Sequence, residues 1–155
     1  MRDSRRLTRL NKYLSRLSLP LREPTMDGET SVRAIMTTAA SDATSKLSRL
    51  AGTRLLVARP DMRRDGDSDS YRVTMSTALF VLEKDLAQDR TPEAEEEQYD
   101  RLAGLALDLV DRITADTTSG SCGLVGGMSV SSVDVNPEVS LFGGWRGYSV
   151  EITFE

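Results

Sequence analysis

TRLLVARPDMRRDGDSDSYRVTMSTALFVLEK, residues 53–84, is the stretch on which the fold turns. Its two flanks, TRLLVAR and YRVTMSTALFVLEK, are rich in the branched and aromatic side chains that fit a pleated, half-buried surface, so both read as strands. Between them PDMRRDGDSDS gathers Gly, Asp and Ser, the residues of turns and loops. The combination predicts an antiparallel hairpin. Its loop exceeds the roughly 2–5 residues of an ordinary hairpin connection and is expected to project from the domain.

Working toward the C-terminus, Thr91-Pro92 is a helix start, with a threonine able to cap and a proline at the first helical position, where a missing N–H costs nothing. Glu93, Glu95, Glu96 and Glu97 then lie near the positive end of the helix dipole. Tyr99, Leu102, Leu105, Ala106, Leu109, Val110 and Ile113 follow at helical spacing, the stripe of a helix that covers a sheet. TTSGSCGLVGG reads as a flexible stretch, and MSVSSVDV as a short strand ending before Pro137. In the last segment Tyr148, Val150, Ile152 and Phe154 alternate with Ser149, Glu151, Thr153 and Glu155, the pattern of a sheet with one buried face.

Toward the N-terminus, Val32, Ile35, Met36, Ala39, Ala40, Ala43, Leu47 and Leu50 follow helical intervals, which predicts a helix across residues 30–50, clearest over SDATSKLSRL, with Gly52 closing it. LREPTMDGET, with Pro24 and Gly28, reads as an extended connection. The start of the chain is an amphipathic helix stopped by Pro20. Leu7, Leu10, Tyr13, Leu14 and Leu17 form its apolar stripe, and Arg5, Arg6, Arg9, Lys12 and Arg16 lie largely off it. The expected organisation is a basic helix and linker at 1–28 and one α+β domain at 29–155, built as an antiparallel sheet of about four strands with helices packed on one face.

Composition narrows the chemistry. A chain of 155 residues with 39% apolar and 28% charged residues belongs with folded globular domains. It has no histidine, which removes Ser-His-Asp triads, Cys-His dyads and every zinc site with a histidine ligand. The single Cys122 has no partner for an intramolecular disulfide and fits a reducing compartment such as the cytoplasm. No apolar run approaches the roughly 18–20 residues that cross a bilayer, and the Arg/Ser-rich start lacks the apolar core of a secretory signal, leaving a surface helix or, as the alternative, a transit peptide. Residues 1–22 hold seven Arg or Lys against Asp3 alone, a net +6 that leaves −10 for the rest of a chain whose total is −4.

Each motif has a plain reading beside a functional one. Asp65-Gly66-Asp67-Ser68-Asp69 opens like a calcium loop, but Ser70 and Ser76 stand where that loop requires Gly and Glu, so a solvated hairpin tip is preferred. GSCGLVGG lacks the lysine of a phosphate loop, and Cys122 has no histidine to activate it, so it reads as a free loop thiol. Asp108 with Asp111, and Glu96 with Asp100, read as a solvated helix face opposite the apolar stripe. No catalytic set or metal ligand set survives, and no cofactor is expected. Two features keep functional weight. The basic helix, through Arg5, Arg6, Arg9, Lys12 and Arg16, could bind nucleic-acid phosphates without sequence preference, or its arginine stems could cover apolar surface and pair with acids. FGGWRGY, residues 142–148, could display Trp145 and Arg146 on a turn as an interface anchor, or fold Trp145 back over the end of the sheet.

The acidic covering helix, the long hairpin with FVLEK at its exit and the final strand behind a G-W-R-G turn together resemble the tail terminator and tail completion proteins of tailed bacteriophages, over residues 45–155. The resemblance implies a non-enzymatic α+β subunit that assembles into a ring at the head–tail junction and stops polymerisation of the tail tube. Its partners would be further copies of itself and tail tube or connector proteins, first in the host cytoplasm and then in the virion neck. It also implies that Arg63 and Arg64 in the long loop, and Phe142, Trp145, Arg146 and Tyr148 at the turn, contact neighbouring subunits or the tube. Residues 1–28 have no counterpart in that pattern, which leaves a different neck or connector role open, and non-specific DNA contact through the basic helix is the alternative from another class.

Overall fold

The computed structural model describes residues 2–21, 24, 28–85, 91–119 and 123–155. In chain order they form α1 (Arg2–Ser15), β1 (Ser18–Pro20), β2 (Ser31–Arg33), β3 (Ile35–Thr37), α2 (Ala40–Leu47), β4 (Thr53–Ala58), β5 (Asp61–Asp67), β6 (Ser70–Lys84), α3 (Pro92–Thr118), β7 (Val130–Leu141) and β8 (Trp145–Phe154). The fold is α+β. Its sheet runs β3-β4-β6-β8-β7 with β5 also paired to β6, six strands in all, and β1 with β2 makes a small separate pair.

The sheet is mixed where about four antiparallel strands were expected. β3 lies parallel to β4, with Ile35 opposite Leu56, and every other pairing in the sheet is antiparallel. Parallel neighbours need a crossover, and α2 supplies it between β3 and β4. This corrects the helix predicted across residues 30–50: only its second half is helical. Val32, Ile35 and Met36 mimic helical spacing although they belong to two three-residue strands in different sheets. Gly52 does adopt a positive φ of 73°, but it enters β4 from there, because α2 already closes at Ser48, whose N–H donates to the Ser45 carbonyl.

Alternation along the strands loads both faces of the sheet. Leu55, Val57, Leu79, Val81, Val150, Ile152 and Phe154 meet α1 and α3 in the main core, together with Leu10, Leu14, Leu102, Leu109 and Ile113. The intervening Leu56, Leu82 and Trp145 meet Ala43 and Leu47 of α2 in a second cluster on the opposite face. Helices therefore cover both faces, not one. α1 closes the same core as the sheet, since Leu10 and Leu14 are fully buried against it. α3 starts as its sequence dictates, with Thr91 Oγ1 accepting from the Ala94 N–H and Pro92 in the first turn.

Two further differences have local causes. β7 runs through Pro137 to Leu141, which the sheet tolerates because β7 is the outermost strand and carries register shifts between Val130 and Ser132 and between Glu138 and Leu141. After α3, Val125 is fully buried and Met128 nearly so, so the glycine-rich stretch does join the core. Cys122 lies outside the described residues.

Candidate functional site

The turn between β7 and β8 does not display its tryptophan. Leu141 accepts from the Gly144 N–H, and Gly144 accepts from the Asp85 N–H at 2.7 Å, which fastens the turn to the end of β6. Phe142 and Gly143 take positive φ values of 48° and 85°, folding the chain back so that Trp145 points under α2, where 1% of it remains exposed. Phe142 packs edge-on against Phe80 with ring centres 5.2 Å apart. Of the two readings of this turn, the one observed is Trp145 folded back over the end of the sheet, and the surface display of Trp145 and Arg146, implied by the resemblance, is corrected. Their alternation sends Trp145 into one core and Arg146 to the other face.

Arg146 is 7% exposed and pairs with Asp85, at 2.5 Å, and with Glu95, at 3.5 Å. Its guanidinium lies 6.0 Å from the centre of the Tyr99 ring, and Tyr148 meets Tyr99 edge-on at 5.9 Å. Burial works against the charge of Arg146, but the hydrogen bond and negative charge of Asp85 outweigh it and hold the group above its ordinary pKa. Burial pushes the Tyr99 hydroxyl up, despite the neighbouring Arg146. Beside this group Glu83 accepts from Arg101 at 2.8 and 3.1 Å, from Gln98 at 3.2 Å and from Thr53 at 3.1 Å. Burial alone would raise Glu83, yet Arg101, Gln98 and Thr53 together hold it below its ordinary value. These groups lock α3 to the ends of β4, β6 and β8.

The opposite end of β6 is an arm. Asp61 to Asp67 pair with Ser76 to Ser70, so the stretch expected as a loop is a strand joined to β6 by the two residues Ser68 and Asp69. β8 reaches only to Met75, so Ser70 to Thr74 extend beyond it. Arg63, largely exposed, bonds to Asp65 at 2.9 Å. Arg64 reaches Asp3 of α1 at 2.8 Å and stacks 5.0 Å from the centre of the Tyr71 ring, while the Tyr71 hydroxyl donates to the same Asp3 at 3.1 Å. Asp3 itself is 7% exposed. The sequence carried no signal for this joint, because Asp3 lies 61 and 68 positions away from its two partners.

α1 lays its apolar face on the core and turns its basic residues outward. Arg5, Lys12 and Arg16 are exposed, and Arg6 and Arg9 are half-buried. Arg9 donates to the Gly123 carbonyl, Tyr13 to Asp116 at 2.6 Å, and Arg59 reaches Asn11 at 3.4 Å. No salt bridge among the described residues involves Arg5, Arg6, Lys12 or Arg16. On α3, Glu96, Asp100, Asp108 and Asp111 are all exposed, as a solvated face requires.

Among the described residues no three His, Cys, Asp or Glu side chains cluster as a metal site, and no helix is long and apolar enough to cross a membrane. Comparison with models of known protein families and with curated proteins finds no match.

Proposed function

We propose that the protein is a non-enzymatic assembly subunit that builds a closed homo-oligomeric ring, of the kind found at the head–tail junction of tailed phages. The observation that carries this reading is the β5–β6 arm. Among the described residues β5 pairs with β6 alone and Ser70 to Thr74 of β6 pair with β5 alone, so both margins of the arm offer backbone donors and acceptors. Such an edge accepts a strand from another chain. The alternating Asp61, Arg63, Asp65 and Asp67 along β5 make that pairing selective, since a partner strand must present charges in complementary order. The bracing of the arm by Asp3 reduces the ordering cost on assembly. A pairing that joins the arm of one copy to a different surface of the next is heterologous, and a heterologous contact closes into a ring when its rotation divides a full turn.

Light scattering across a concentration series tests the proposal. A defined higher oligomer is expected, and Arg63→Glu should shift it toward monomer without changing the melting midpoint. A chain that stays monomeric at every concentration, or an oligomer indifferent to Arg63→Glu and to shortening of the arm, counts against it.

A further inference from the structure

Three arginines line one open cleft behind the C-terminal end of α1, far from the arm, and serve none of the contacts described so far. Arg16 follows α1 directly, Arg33 ends β2 and Arg54 lies in β4, and all three line one cavity of about 510 Å³. Arg54 donates its Nε to the Ala51 carbonyl at 3.0 Å, which fixes the guanidinium plane while leaving its terminal nitrogens. Arg16 and Arg33 form no ion pair among the described residues. Among the described residues of the lining there are three arginines and one carboxylate, Glu29. Like charges at close quarters repel, and an anion in the middle turns that repulsion into attraction.

The donor set selects among anions. Three guanidinium groups, joined in the lining by Ser18 and Ser31, offer more hydrogen bonds than the two oxygens of a carboxylate can accept. The cleft is open to solvent and its volume exceeds what an inorganic anion fills, leaving room along the half-buried Ile35 for the rest of a larger molecule. We propose that this cavity binds a phosphate group carried by a larger molecule, an activity that stands independently of ring assembly.

Two sources share this chemistry, a small phosphorylated compound and a nucleic-acid backbone, and α1 distinguishes them. Arg2, Arg5, Arg9 and Lys12 recur at intervals of three and four residues, which puts them along one face of the helix over roughly 15 Å at about 1.5 Å per residue, and Arg16, just past the end of α1, follows four positions on. Arg16 belongs both to that row and to the cavity. A phosphodiester chain would use the row as well as the cavity. A small phosphorylated compound would use the cavity alone.

The test is calorimetric titration and thermal melting of the full chain with inorganic phosphate, pyrophosphate and a single-stranded oligonucleotide, against chloride at equal ionic strength. Pyrophosphate is expected to raise the melting midpoint. Arg33→Ala and Arg54→Ala should each weaken binding about tenfold or more, as expected for losing a charge-assisted hydrogen bond, while leaving the midpoint in chloride unchanged or higher. If the oligonucleotide binds with a steep salt dependence and is weakened by Arg5→Ala or Lys12→Ala as well as by Arg33→Ala, the phosphate is that of a nucleic-acid backbone. Pyrophosphate binding without oligonucleotide binding assigns the cavity to a small phosphorylated compound. Failure of all three to bind, or binding that survives the Arg33→Ala, Arg54→Ala double variant, overturns the proposal.

Discussion

β6 has two ends with opposite fates. At Lys84 it lies beside Trp145, with hydrophobic clusters on both faces and Glu83 held in a net of four hydrogen bonds. At Ser70 it pairs only with β5, and almost every side chain around it meets water. One strand thus ties a rigid base to an exposed lever. Trp145 and Arg146, of the types best known as interface anchors, are spent at the base on holding the fold together. The arm is left to plain charged residues.

The comparison breaks most readily at the base. Trp145→Ala should cost about 3–5 kcal/mol in urea unfolding, the range for truncating a fully buried tryptophan. A loss too small to resolve would return Trp145 to a surface role. Gly147→Ala comes next. Gly147 has φ of 151° in a central strand, and a Cβ there would meet the Val81 carbonyl oxygen at 2.0 Å. Backbone must move on β6, so a loss of about 3 kcal/mol is expected in thermal melting.

Glu83→Gln should cost about 1–2 kcal/mol at neutral pH through weakened hydrogen bonds to Arg101. Its pH dependence sharpens the point. A carboxylate held below its ordinary 4.5 contributes stability that is present above that value and is lost as pH falls through the lowered one. Unfolding midpoints followed from neutral to acid pH should therefore fall less steeply in the glutamine variant. At the arm, Asp3→Asn should lower global stability by only about 1 kcal/mol while hydrogen exchange at the β5 amides accelerates markedly. Equal protection of those amides in both proteins would mean that α1 does not brace the arm.

Where one face of an element is buried, the sequence announces it. The stripe from Tyr99 to Ile113 and the alternation from Tyr148 to Phe154 are legible because water and core impose different side chains at regular intervals. β5 reads as loop for the converse reason: most of it is exposed, so nothing selects apolar residues at alternate positions. β2 and β3 are too short for alternation to emerge from chance helical spacing. At the β7–β8 turn the sequence left two directions open for Trp145, since its burial depends on Ala43 and Leu47 of a distant helix. The three arginines around the cavity come from separate elements, and no local pattern links them.

Pro137 gives the molecule a sense of direction. It sits on the outer strand β7, which it deprives of an amide hydrogen, and register shifts flank it toward both ends of that strand. That margin is a poor template for another chain, whereas the arm at the far side of β6 is a continuous one. Strand pairing between copies would then have a giving side and a barred side. A contact of that kind, from the arm of one copy to a different surface of the next, would run in one rotational sense and would close only where its rotation divides a full turn.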